Sequence, residues 1–176
     1  MQAIAFWKAV TMDQSNFLDA FLSLLRNSGI QFCVIGGQAV NAYVDPLVSL
    51  DLDVVVAVEQ IAQVRKILEE QFHLEEFPHS LNVASPGSDL RVQIQTDPRY
   101  SDFVKRSTDR EVLGLLLPVA ALEDILQGKV WAASDPQRRA SKRRKDLLDI
   151  ERLLEANPSL KDRIPAEILE RLTETL

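Results

Sequence analysis

The stretch VIGGQAVNAYVDPLVSLDLDVVV, Val34 to Val56, decides how this chain is read. It grows out of Gln31 to Ile35 (QFCVI), a run of β-formers that predicts a buried strand. Gly36 and Gly37 follow at once, and Gln38 to Tyr43 predicts a short helix that Asp45-Pro46 ends. Leu52 to Val58 predicts a second strand centred on Val54, Val55 and Val56. Residues two apart in a strand point the same way, so Asp51 and Asp53 place two carboxylates on one face and Leu52 on the other. Neighbouring negative charges repel and favour a cation between them. Hard oxygen ligands in such a pair suit Mg²⁺ together with substrate phosphates. The glycines fit the same picture, because a strand-to-helix turn without side chains lets backbone N–H groups approach a phosphate. Singly, Gly-Gly more commonly marks tight packing, and Asp-x-Asp alone reads as two solvated acids at a strand's edge. Their joint spacing favours the site.

On the N-terminal side, Asp13 is expected to cap a helix running to Asn27, with Phe17, Leu18, Phe21, Leu24 and Leu25 at helical spacing and Gly29 as the stop. On the other side, Ile61 to Phe72 predicts a helix, and Leu74 to Phe77 and Leu81 to Ala84 predict short strands. Asp89 to Thr96 alternates cleanly. Leu90, Val92, Ile94 and Thr96 take one face, and Asp89, Arg91, Gln93 and Gln95 the other. Pro118 is expected to open a helix to Ser134, which Asp135-Pro136 interrupts. A second helix follows over Ser141 to Ala156, with Leu147, Leu148, Ile150, Leu153 and Leu154 as its apolar face. Pro158 and Pro165 then punctuate two short helices. Strands early and helices late predict an α/β (α+β) fold, a small mixed β-sheet flanked by helices. Residues 1–117 would form the core and residues 118–176 a C-terminal helical segment packed on it.

The chain has 176 residues, enough to bury a core without staples. A single cysteine, Cys33, excludes an internal disulfide and fits a reducing compartment. No apolar run reaches the length of a membrane span. The expectation is a soluble, cytoplasmic protein with no membrane partner. The net charge of −6 argues against a general coat for nucleic acid. Charge is nonetheless concentrated in RRASKRRK, Arg138 to Lys145, where six of eight residues are basic. That run reads either as a phosphate- or RNA-facing patch or as a solvated helix start. His73 and His79 have no cysteine or further histidine to join them in a zinc site. Trp7 and Trp131 read as packing residues.

The run VIGGQAVNAY followed by SLDLDVVV resembles the DNA polymerase β-like nucleotidyltransferase superfamily. There, a GG or GS turn holds the triphosphate and a D-x-D pair binds two metals. The closer resemblance is to the AbiEii-type toxin nucleotidyltransferases, which carry a downstream lysine on one helix and a lysine-aspartate pair on the next. Here QGKVWAA offers Lys129, and SKRRKDLLDIERLL offers Lys145 and Asp146, with Asp149 and Arg152 on neighbouring turns. The resemblance covers Phe17 to Leu154. It implies a nucleotidyltransferase-like fold, Mg²⁺ as cofactor and a nucleoside triphosphate as substrate. It also implies transfer of a nucleoside monophosphate to a protein or RNA acceptor in a toxin–antitoxin setting, with an antitoxin as protein partner. By the same resemblance, Asp51 and Asp53 are metal ligands and catalytic, Asp146 joins them, and Gly36, Gly37, Ser49, Lys129 and Lys145 bind nucleotide.

The family also supplies a third carboxylate from a later strand, and Gln93 stands at that position. An amide oxygen can ligate a metal but brings no charge and cannot act as a base. Asp89 and Asp97 lie four residues to either side, roughly 13 Å away at about 3.3 Å per residue, too far for a simple replacement. Two other readings stay open. One is a degenerate member that binds a nucleotide or a partner without turnover. The other is a helical interaction protein in which the motifs coincide by chance. A homodimer through Leu153, Leu154 and the C-terminal amphipathic helix is a further expectation.

Overall fold

The computed structural model describes residues 3–173. Its strands are β1 (Phe32–Ile35), β2 (Asp51–Val56), β3 (His73–Phe77), β4 (Ser80–Ala84), β5 (Arg91–Gln95), β6 (Thr108–Val112) and β7 (Leu115–Val119). They form one mixed sheet in the order β3-β4-β5-β2-β1-β7-β6. β1 and β2 run antiparallel, while β2 and β5 run parallel with Asp51 opposite Arg91 and Asp53 opposite Gln93. The central strands are buried, as expected of QFCVI and DLDVVV. In β5 the predicted alternation holds: Leu90, Val92 and Ile94 are buried, and Arg91 and Gln93 are exposed.

The helices are α1 (Ala3–Val10), α2 (Phe17–Asn27), α3 (Gly36–Val40), α4 (Ile61–Glu69), α5 (Phe103–Arg106), α6 (Leu122–Ser134), α7 (Ala140–Ala156) and α8 (Ala166–Thr173). α2 buries Phe17, Leu18, Phe21, Leu22 and Leu25 and packs on α4. α6 packs on α7, and α3 packs on both. These contacts bring the C-terminal helices against the turn that follows β1.

Several expectations need correction. Asp13 does not begin α2. The helix starts at Phe17 after Asn16 in a left-handed conformation, and the Asp13 carboxylate reaches forward to accept from Phe17 N (2.8 Å) and Leu18 N (3.2 Å). The helix expected over Gln38 to Tyr43 begins at the glycines themselves and ends at Val40. Pro118 opens no helix, because it lies in β7. Lacking an N–H, it sits in a strand whose pairing with β1 is confined to Val34 and Val119. The β6–β7 hairpin turns through Leu113 and Gly114, both at positive φ, as a two-residue primed turn requires. Leu148 is 45% exposed and leaves the expected apolar face of α7. Leu153 is fully buried within the chain, and Ile168, Leu169 and Leu172 of α8 pack on the core. Leu154 is half-buried, as are Leu169 and Leu172.

α1 was not foreseen, and it positions the site. Trp7 is buried and its Nε1–H donates to the Ser49 carbonyl at 2.6 Å, two residues before Asp51. The Thr11 carbonyl accepts from Asp89 N at 2.7 Å, just ahead of β5. The N-terminal segment thus braces the starts of both strands that carry the acidic face. Trp7→Phe keeps an aromatic ring and removes the donor. We expect a loss of about 1–2 kcal/mol of unfolding free energy, read as a lower urea midpoint at unchanged slope. An unmoved midpoint would mean that the bond contributes nothing.

Candidate active site

The cleft is built outward from the Asp51 and Asp53 carboxylates at the first and third positions of β2. The β1–β2 register sets Ile35 opposite Asp53, so the next residue, Gly36, lies directly against the Asp53 carboxylate. A Cβ on Gly36 would stand 3.0 Å from Asp53 Cγ and closer still to Oδ2, and Gly36 has φ +68°. Glycine is required there on both counts. Ser49 supports the pair from below. Its Oγ accepts from Asp51 N at 3.3 Å, while its carbonyl takes Gln38 Nε2 at 3.3 Å in addition to Trp7.

The two acids differ in environment. Asp51 is held at both oxygens, by Arg91 Nε on Oδ1 (2.7 Å) and by Lys142 Nζ on Oδ2 (3.4 Å). Asp53 has no hydrogen bond or ion pair among the described residues. Burial pushes its pKa up, Lys129 draws it back, and the Asp51 charge raises it further, for a net rise above the usual carboxylate range. Such a half-buried, unpaired acceptor favours a cation beside it.

The facing wall comes from α6, α7 and the loop between them. Lys129 is buried, with Nζ 3.0 Å from Asp146 and 2.7 Å from Asp149. Burial alone would lower the pKa of its ammonium, but the two carboxylates outweigh it and the net shift is upward. Arg138 Nε meets the other oxygen of Asp146 at 2.7 Å, and Arg152 holds Asp149 at 2.8 Å while reaching the Asp45 carbonyl. Lys129 and Asp146 are both buried, and Asp146 is paired with Lys129 and Arg138. The basic run divides: Arg138, Lys142 and Lys145 line the cleft, while Arg139 and Arg144 are exposed to solvent.

All nine residues singled out in the sequence line one cleft: Gly36, Gly37, Ser49, Asp51, Asp53, Gln93, Lys129, Lys145 and Asp146. Gln95, Tyr100, Phe103 and Asp124 join them. Tyr100 and Phe103 are held by edge contacts with each other and by Trp131. Asp97 does not fold back toward Gln93. Its carboxylate caps the following turn by accepting from Arg99 N (2.9 Å) and pairs with the Arg99 guanidinium. The sequence reading passed over Arg91 and Lys142. Arg91 was visible as the neighbour of Gln93 on the same strand face. Lys142 was visible only as one of six basic residues in a run.

Among the described residues no group of three His, Cys, Asp or Glu side chains is assembled for a metal. Asp51 and Asp53 alone offer oxygens suited to one hard cation that also takes substrate phosphate. Gln93 adds a neutral amide.

Solved structures place this fold among the nucleotidyltransferases. The antibiotic-resistance factor ANT(2″)-Ia is 14% identical, with a TM-score of 0.54 over 93% of this chain and 98% of that one. The lincosamide antibiotic adenylyltransferase LnuA is 11% identical, with a TM-score of 0.53 over 77% and 95%. An antigenic nucleotidyltransferase-like protein from Paracoccidioides brasiliensis is 17% identical, with a TM-score of 0.51 over 96% and 86%. No curated protein matches the sequence. The family model described as nucleotidyl transferase AbiEii toxin, type IV toxin–antitoxin system, matches residues 21–175, and the chain belongs to that family.

Two predictions follow from the geometry of Asp53. Gly36→Ala forces a side chain into its carboxylate at a left-handed position, and we expect a loss of about 2 kcal/mol or more in chemical denaturation. Wild-type stability in that variant would show that the turn relaxes freely. The second concerns pH in metal-free buffer. With its folded pKa raised, Asp53 contributes stability that is full below its ordinary value of 3.8 and is lost as pH rises through the folded value. Asp53→Asn should therefore melt above the wild type at pH 7, and the gap should close toward pH 3. A variant that melts lower at pH 7 would contradict the assignment.

Proposed function

We propose that this chain is a Mg²⁺-dependent nucleotidyltransferase that moves a nucleoside monophosphate from a nucleoside triphosphate to a protein or RNA acceptor in a toxin–antitoxin setting. The observation that carries the reading is a division of charge across one cleft. Asp51 and Asp53 stand on the sheet wall; on the helical wall Lys129 and Arg138 are paired with Asp146, and Lys142 and Lys145 add positive charge to the cleft lining. A metal-bound triphosphate matches both walls at once, its cation toward the acids and its phosphates toward the basic groups.

In this reading Asp51 and Asp53 hold the metal. Bound there, Mg²⁺ supplies a Lewis acid at the phosphorus under attack and charge for the departing pyrophosphate. The Gly36-Gly37 turn and Ser49 leave space for the triphosphate beside β2. Lys142 and Lys145 project from α7 toward it, and the Lys129–Asp146–Asp149 cluster fixes that helix. The sheet supplies the acidic wall and α6, α7 and the loop between them the basic one, so neither part completes the site alone; β7 (Leu115–Val119) spans the expected boundary at residue 117. An antitoxin is the protein partner this setting implies. The cytoplasm is the location this reading implies; among the described residues no helix is long and apolar enough to cross a membrane.

One observation favours a second reading. Gln93 faces Asp53 directly across the β2–β5 pair, so β5 supplies no carboxylate there to take the proton of an attacking hydroxyl. A chain so built could retain nucleotide or partner binding with weak or absent turnover.

Thermal melting with each of the four nucleoside triphosphates, with and without Mg²⁺, tests both readings. For the natural chain we expect a Mg²⁺-dependent rise of several degrees with the preferred nucleotide, absent in Asp51→Asn/Asp53→Asn. Labelled transfer to a cell extract then separates turnover from binding. No shift with any nucleotide would remove the first reading and leave of the second only a protein-binding module.

A further inference from the structure

We infer that β5 converts this cleft into a site for one divalent cation, with the Arg91 guanidinium in place of a second positive centre. The inference rests on the metal-dependent reading above and adds to it how the site is charged.

The register of β5 against β2 is the starting observation. It sets Arg91 beside Asp51 and Gln93 beside Asp53. On the strand face where acids would draw in two ions, this chain presents a cation and a neutral amide. Arg91 Nε lies 2.7 Å from Asp51 Oδ1, and Lys142 approaches the other oxygen at 3.4 Å. The charge at Asp51 is thus already balanced from both walls. Asp53 alone has no hydrogen bond or ion pair among the described residues, although Lys129, Arg138 and Lys142 act on it at longer range.

A divalent ion bridging the two acids must therefore compete for Asp51. The competition is real but reversible. The Arg91 side chain is 66% exposed, so it can swing into solvent, while Asp51 is 20% exposed and stays in the cleft. An exposed pair of this kind is weakly held, which lets a divalent ion displace it. A second ion would need another charged ligand, and Gln93 offers only an amide oxygen. Arg91 also keeps positive charge at the cleft mouth when the single ion is bound, where it can face a phosphate oxygen of the substrate.

The test counts ions directly. The full chain is titrated with Mn²⁺ alone, and free Mn²⁺ is read by electron paramagnetic resonance for the natural protein, Arg91→Gln, Gln93→Asp and the double variant. Far-ultraviolet circular dichroism in metal-free buffer confirms that each is folded. Arg91 and Gln93 are both exposed, and Gln93→Asp shortens the side chain by one methylene at the surface, so neither change opens the core. The natural chain should bind a single Mn²⁺ weakly. Each single variant should bind it about tenfold more tightly, since each makes the site more negative by one charge. The double variant should take up a second ion. Two Mn²⁺ ions on the natural chain, or an affinity indifferent to Arg91→Gln, would overturn this inference and leave the nucleotidyltransferase reading intact. No Mn²⁺ on any of the four proteins would remove both.

Discussion

The Lys129 ammonium, enclosed between Asp146 and Asp149, is the interaction on which the helical wall depends. Two buried carboxylates one turn apart on α7 would repel strongly without it, and a buried lysine without them would lose its proton. Each side makes the other tolerable. Arg138 and Arg152 take up the outer oxygens, so the cluster runs from the α6–α7 loop to the Asp45 carbonyl at the end of the α3 turn. Burying such a cluster is weak support for stability in itself, because desolvation offsets much of the attraction. What it supplies is direction: α7 can sit on α6 in one way, and that way holds Lys142 and Lys145 over the β2 acids.

The sheet wall is built on the opposite principle. Asp53 is half-buried and left without a partner among the described residues, against a turn that only glycine can make. A protein selected for stability alone would not retain that arrangement, and strain of this kind concentrates where function requires it. The two walls are complementary for this reason: one has satisfied its charges internally and the other has a charge still to satisfy. Gln93 and Arg91 moderate the second wall, which separates this member of the AbiEii family from a chain carrying a full set of acids.

Much of this was legible in the sequence because the signals are local. The alternation in DLDVVV puts both acids on one face whatever surrounds them, and LRVQIQT likewise fixes which side chains of β5 accompany Gln93. The helical spacing of Phe17, Phe21 and Leu25 survived intact. The β6–β7 hairpin was not legible. TDREV carries no apolar alternation, since β6 is a mostly exposed edge strand, and its turn uses Leu-Gly where Asn-Gly would have announced itself. Pro118 misled for the same reason: read locally it suggests a helix start, and only the loose pairing of β7 with β1 makes room for it in a strand.

By itself, then, the sequence determined the identity of the strands that carry the acids, the glycine turn before them and the family to which the chain belongs, because period and spacing are properties of short segments. The tertiary structure alone decided which charges meet. Lys142 and Asp51 are 91 residues apart, Lys129 and Asp146 are 17 apart on different helices, and Trp7 reaches Ser49 across 42 residues. Coulomb energy and desolvation depend on distance and burial in space, and neither quantity exists until α6, α7 and α1 have packed against the sheet.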